Sequence, residues 1–322
     1  MRLVGHNKQW EFLKRCIKND RVAHAYLFYG PLNIGKRTVA MEFIKLLNCH
    51  HSDTESCGKC QSCHGFESGV HPNLFILKPE PPEEKEDDAA GNLAIRIDKI
   101  TELKSGLSLS TSDSGYKAAI IDGAEAMTYD AQGALLKILE EPRGKAVIIL
   151  IAEQANQLLP TIVSRCQLIR FDLLQPKHIE ESLIKNKVPV KLAEEVSWLS
   201  FGRPGLAMEY YRNPETAERQ KRRIMEIVKL SKAPLSSRFR YAEALSKDTR
   251  EMHCALDVWL SYFRELLLEG LGKEKNNFMP AKGNYSKTKI RSIIGLIEKI
   301  GFVIKTTNTN PRLALEVLLM KI

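Results

Sequence analysis

Apolar residues run along this chain in two different rhythms. Up to about Phe171, short apolar runs alternate with stretches of helical spacing. Ala25–Tyr29 (AYLFY), Leu74–Leu77 (LFIL), Lys117–Asp122 (KAAIID) and Ala146–Ala152 (AVIILIA) are nearly continuous and short, which predicts buried strands. Between them, Thr38–Leu47, Ile95–Leu109 and Asp130–Glu141 repeat apolar positions every three or four residues, which predicts amphipathic helices. The last of these has Asp130 as its expected cap and Pro142 as its stop. Pro79–Gly91 (PEPPEEKEDDAAG) is Pro-rich and acidic and predicts an exposed loop. Strands alternating with helices imply an α/β unit whose parallel sheet is covered on both faces.

Beyond Phe171 the strand signal ends. Gln175–Tyr211 predicts short helices around a Gly-Arg-Pro-Gly turn at 202–205, and nearly everything from Pro214 onward is helical. Met252–Leu268 carries Trp259, Tyr262, Phe263, Leu266 and Leu267 at helical spacing, the stripe of a core-facing helix. Leu313–Ile322 closes the chain as a further apolar helix.

Composition narrows the class. A chain of 322 residues with 43% hydrophobic and 27% charged residues holds two or three globular domains. No apolar run approaches the length of a membrane span. The formal net charge of +9 favours a nucleic-acid or acidic protein partner. The charge is spread out, and its densest run, Arg219 to Arg223, reads as a solvated helix face. The opening MRLVGHNKQW has no apolar signal core, so a cytoplasmic protein is expected, in a compartment where disulfides are rare.

That compartment bears on four clustered cysteines. Cys57, Cys60 and Cys63 form two overlapping C-x-x-C pairs, and Cys49 precedes them by one short loop. Four thiolates at chelate spacing suit a closed, structural zinc site. The competing readings are two disulfides, reactive thiols, or three cysteines joined by His50, His51 or His64. Cys16, Cys166 and Cys254 are scattered and read as packing residues.

Gly30-Pro-Leu-Asn-Ile-Gly35-Lys36 matches the phosphate loop G-x-x-x-x-G-K, after a strand and before a helix. Such a loop binds phosphate through inward backbone N–H groups and the helix dipole. The magnesium-binding Ser or Thr should come next. Here it is Arg37, with Thr38 one residue late and about 100° round the helix. Asp122 ends a strand, where a carboxylate holds magnesium through water, but Gly123 stands where ATPases of this layout orient the attacking water with a Glu. Glu125 is expected to point elsewhere. After the strand 146–152, Ala152-Glu153 replaces the usual γ-phosphate sensor. Positioning and charge stabilisation supply nearly all of phosphoryl-transfer catalysis, so hydrolysis is not expected. The blander alternative is a Gly-rich turn that keeps its shape without nucleotide.

Two more strings complete an ordered set: Ala134-Leu-Leu-Lys-Ile-Leu-Glu-Glu-Pro142, and Ser164-Arg165-Cys166 within Leu159–Cys166. With the phosphate loop and the cysteines, they resemble the bacterial clamp-loader branch of the AAA+ proteins. The likeness is strong over about the first 210 residues and weak at Asn310–Glu316. It implies an AAA+ RecA-like parallel sheet with a zinc module (1–172), a small helical lid (173–212) and an all-α collar for oligomerisation (213–322). It implies a five-subunit ring that places a sliding clamp on primed DNA, with delta and tau/gamma subunits as partners. It also implies that Arg165 is an arginine finger reaching the ATP of a neighbouring motor subunit, for which a planar, permanently charged guanidinium is well suited. Motor members carry a nucleotide-sensing Arg near the 202–205 turn; Gly205 stands there, and Arg203 is not assigned that role.

The expectation is a subunit that is no enzyme on its own, with a degenerate nucleotide site at Gly30, Gly35, Lys36, Thr38 and Asp122. Binding of ATP or ADP is left open. An ATP-hydrolysing tau/gamma-type motor is the alternative within the family, and a P-loop small-molecule kinase the alternative outside it. A bland alternative for Arg165 is pairing with a surface carboxylate.

Overall fold

A computed structural model describes residues 3–51, 55–81, 93–108, 115–141, 144–272, 285–307 and 309–322. Most of the predicted acidic loop, Leu109 and the helix stop at Pro142 lie outside these residues. The chain divides into two compact units, Met1–His178 with Arg203–Gly205, and Ile179–Gly202 with Leu206–Ile322. No helix among the described residues is long and apolar enough to cross a membrane.

The first unit runs α1 (Asn7–Lys18), β1 (Ala25–Tyr29), α2 (Lys36–Leu47), α3 (Gln61–Ser68), β2 (Leu74–Leu77), α4 (Ile97–Ser108), β3 (Lys117–Asp122), α5 (Tyr129–Glu140), β4 (Ala146–Ala152), α6 (Pro160–Val163) and β5 (Gln167–Arg170). Every strand pair is parallel and the order is β2-β3-β4-β1-β5. β1 pairs with β4 from Ala25↔Ile148 to Tyr29↔Ala152, and β3 pairs with β4 as far as Asp122↔Ile151. The C-terminal ends of β3, β4 and β1 therefore lie side by side. This brings Asp122, Glu153 and Gly30 to one edge of the sheet, where open α/β sheets place their ligands.

Side chains alternate between two apolar cores. Leu27, Ile121 and Leu150 pack on one face with Leu103 and Leu135 of α4 and α5. Tyr26, Phe28, Ile120 and Ile149 pack on the other with Leu13, Val39 and Phe43 of α1 and α2. Burial on both faces explains why the strands read as continuous apolar runs. β5 escaped the sequence reading because it is a four-residue edge strand with only Ile169 buried. One helix start is corrected: the Thr128 side chain accepts the Ala131 N–H, so Thr128 caps α5. Asp130 lies in the first turn, where the helix dipole favours its charge.

α7 (Pro176–Lys185) begins in the first unit and ends in the second. There follow α8 (Val190–Leu199), α9 (Pro204–Arg212), α10 (Pro214–Leu230), α11 (Leu235–Leu245), α12 (Thr249–Gly270), α13 (Lys287–Thr306) and α14 (Pro311–Lys321). The aromatic stripe of α12 is core as predicted: Trp259, Tyr262 and Phe263 are fully buried. Arg238 staples the C-terminal helix down. It donates to Ala233 O (2.9 Å), Ser231 O (3.0 Å) and Leu319 O (2.8 Å). Arg238→Met keeps the apolar stem and removes these charge-assisted bonds, so it should cost roughly 2–4 kcal/mol. Urea unfolding of the full chain measures this, and an unchanged midpoint would mean that water serves those carbonyls equally well.

Candidate functional site

The four cysteines converge. Their sulfurs all lie within 4.8 Å of one another, and Cys57 Sγ stands 3.9 Å from Cys63 Sγ. Sulfurs about 2.3 Å from a central zinc would sit about 3.8 Å apart. No disulfide joins any of the seven cysteines, and the clustered sulfurs converge on one centre rather than forming two bonded pairs. His50, His51 and His64 are exposed and outside the cluster, which leaves four sulfurs as the donor set. Cys49 follows the end of α2, Cys60 is the N-cap of α3, and Cys63 lies in its first turn. Backbone amides serve the sulfurs: Cys57 N–H donates to Cys49, Cys60 N–H to Cys57, and Cys63 N–H to Cys60, at 3.3–3.4 Å. The Lys59 and Cys60 amides hold the Cys57 thiol down at about 6, while burial pushes Cys63 up to about 12. A cation at the centre would resolve that conflict by deprotonating all four. The set is compatible with structural zinc and offers no open position for catalysis.

The phosphate loop is formed but filled by its own residues. Lys36 is buried at the start of α2, and its ammonium donates to Gly30 O and, at 2.8 Å, to Pro31 O. Burial lowers its pKa, opposed by the charges of Glu153, Glu125 and Asp122. Glu125 does not point elsewhere, as expected from sequence. Its carboxylate accepts the Glu153 N–H at 3.4 Å, and burial raises its pKa. A short 3-10 turn at Ala124–Ala126 folds it back toward the end of β4.

Arg37 Nη1 stands 3.4 Å from Asp122 Oδ2. A guanidinium thus pairs with the carboxylate expected from sequence to hold magnesium, and it comes from the residue that replaces the missing hydroxyl. Gly123 has φ 80°, and an added Cβ would come within 3.1 Å of Pro79. A water-orienting Glu there would be strained as well as absent. At the helical turn, Gly205 N–H donates to Asn33 O at 2.8 Å, and a Cβ on Gly205 would meet that oxygen at 2.6 Å. A backbone contact thus stands where the resemblance implies a sensing arginine in motor members. Thr38 is half-buried one position beyond Arg37.

Ser164-Arg165-Cys166 links α6 to β5. Ser164 Oγ donates to Thr161 O at 3.0 Å. Cys166 packs against the sheet core, and burial pushes its thiol up to about 12. Arg165 donates to Thr161 O (2.9 Å) and to Glu140 Oε1 (2.7 Å). Glu140 is the first glutamate of the LLKILEEP string, so the two family strings touch. Gln132, buried on the same helix α5, accepts the Leu159 N–H at 3.0 Å and donates to Met127 O at 3.3 Å. Sequence reading singled out neither Gln132 nor Glu140 as partners. The strings themselves were the signal, but not their contact.

Comparisons with known proteins bear on the family of the chain. A family model described as "DNA polymerase III, delta subunit" matches residues 5–175. The DNA polymerase III subunit delta′ of Bacillus subtilis is 32% identical over 268 residues, 82% of this chain and 78% of that protein. The subunit delta′ of Pseudomonas aeruginosa is 41% identical over 145 residues, 45% of this chain and 42% of that protein. The DNA polymerase III subunit tau of Bacillus subtilis is 33% identical over 171 residues, 53% of this chain but only 28% of that protein.

Proposed function

We propose that this chain, which belongs to the DNA polymerase III delta′ family, works in the clamp loader as a non-hydrolysing subunit that completes the ATP site of a neighbouring motor. The observation that carries the first half is the Arg37–Asp122 pair. It sets a partly exposed guanidinium 3.4 Å from the carboxylate expected to hold magnesium, beside a Gly123 whose φ of 80° disfavours a water-orienting glutamate. Glu153 and Glu125 add negative charge around Lys36, which opposes a triphosphate. A tau/gamma-type motor needs Ser or Thr in place of Arg37, Glu in place of Gly123 and a polar sensor at the end of β4.

The second half rests on Arg165. It sits on the surface at the edge of the sheet, with its side chain 36% exposed. It pairs with Glu140, as in the bland reading, but an exposed ion pair adds only about 0–1 kcal/mol and is readily exchanged for a stronger partner. A triphosphate presented by the next subunit would be one. In this reading the four cysteines hold zinc as a structural staple, and the chain follows the lid and collar division at 173–212 and 213–322. The helical unit carries an exposed apolar row suited to ring assembly: Leu313, Val317 and Met320 on α14 are 57%, 45% and 49% exposed, one face of the helix. Partners are the delta and tau/gamma subunits, with the sliding clamp and primed DNA reached through the complex.

The test is ATP turnover by the purified chain, alone and mixed with delta and tau/gamma subunits. Alone it should show none. In the mixture, clamp and primed DNA should stimulate turnover only when the chain is present. Arg37→Thr restores the missing hydroxyl but should not restore turnover, because Gly123 is unchanged. Turnover by the chain alone that is abolished by Lys36→Ala would sink the proposal.

A further inference from the structure

We infer that Glu140 is a positioning residue for Arg165, setting where the guanidinium stands before the neighbouring subunit presents its ATP. This rests on the reading of Arg165 as a finger acting in trans. An exposed arginine has four flexible torsions, and a finger that must be found among many rotamers loses rate with each wrong one. Here the guanidinium is held at two points. Thr161 O, one turn back on its own segment, takes Nη1 at 2.9 Å. Glu140 Oε1, at the end of α5, takes Nη2 at 2.7 Å. The first contact sets how far the side chain leaves its own turn, and the second sets its direction. Two of the five N–H donors are used before ATP arrives; a triphosphate can meet the other three first and then displace the exposed carboxylate.

The support beneath is rigid. Gln132 is buried on α5 and bonds both Met127 O and Leu159 N–H, so it joins the start of α5 to the start of α6. Ile162 on α6 is fully buried, and Cys166 packs on the same core. Gln132 and Glu140 therefore tie α5 to the arginine's segment at two levels, one buried and one at the surface. The buried tie serves the fold. The surface tie adds little to stability, with side chains 36% and 48% exposed. What it does define is the direction of one guanidinium.

The experiment is a reconstituted loader carrying Glu140→Ala, Glu140→Gln, Arg165→Ala or the Glu140→Ala/Arg165→Ala pair. The readouts are the clamp-loading rate on primed DNA, the KM for ATP, and the melting temperature of each subunit. Glu140→Ala should slow loading by about 10-fold, short of the ~10²-fold cost of a full 1 Å misplacement. KM and melting temperature should stay near wild type. Glu140→Gln, whose amide oxygen still accepts from the guanidinium, should keep most of the rate. The double variant should be no slower than Arg165→Ala alone. Wild-type loading by Glu140→Ala, or additive losses in the double variant, would overturn the inference while leaving the finger intact. Wild-type loading by Arg165→Ala would instead remove the finger itself.

Discussion

Replacing Arg165 by alanine should leave the subunit folded, with its cysteine module intact and assembled with its partners, while clamp loading and stimulated ATP turnover fall. Folding should survive because the side chain is partly exposed and its ion pair with Glu140 lies at the surface. Function should not, because a finger supplied in trans can contribute about 10³–10⁵ in rate at the site it completes. Total turnover will fall by less than that, since other ATP sites of the ring keep their own fingers. Loading should suffer more than bulk hydrolysis if every site must fire before the clamp closes. Arg165→Lys should rescue poorly, because an ammonium cannot reproduce the planar fork. Reconstituted loaders measured side by side decide the matter. Matching rates for wild type and Arg165→Ala would reduce Arg165 to the partner of a surface carboxylate.

The second large effect is expected at the cysteines. Protein prepared without chelator should carry one zinc per chain, and Cys60→Ser should lose most of it. The free energy of structural zinc binding is folding free energy, about 10–16 kcal/mol in small zinc-finger peptides. Here only the module depends on it directly, but the module is not isolated. Phe66, on the same helix as Cys63, is fully buried in the core that holds Phe43 and Ile120. It also stacks on His71 with ring centroids 3.9 Å apart. Unfastening α3 should therefore loosen that face of the sheet and lower the melting temperature of the whole first unit. Metal analysis and thermal unfolding, with and without a strong chelator, check this. A wild-type protein free of zinc, or a Cys60→Ser protein with full zinc and unchanged melting, would refute the assignment.

The two sites differed in how far sequence could reach them. The cysteine module was legible because its ligands lie within fifteen positions of one another. Only the convergence of all four cysteines, with His50, His51 and His64 outside the cluster, needed coordinates. The departures in the phosphate loop were visible as residue types, but their consequence was not. Arg37 could have pointed into solvent, and its approach to Asp122 joins residues 85 positions apart. Glu125 was expected to point away. A left-handed residue at Gly123 and the short turn after it brought it back beside Glu153.

By itself, then, the sequence determined the strands β1 to β4, the major helices, the four-cysteine module, the departures from the phosphate-loop motif and the family. These are matters of local spacing and residue type. Apolar period decides which face of an element is buried, and short chelate loops bring ligands together with little loop-closure entropy. Only the tertiary structure decided the order β2-β3-β4-β1-β5, the edge strand β5, the Gly205 contact on Asn33 and the pairing of Glu140 with Arg165. Each joins segments far apart in the chain or rests on too few residues to show a period. Glu140 shows the reason most plainly. As one of two exposed glutamates at the end of a helix, it is unremarkable until the packing of α5 against α6 brings a guanidinium within 2.7 Å of it.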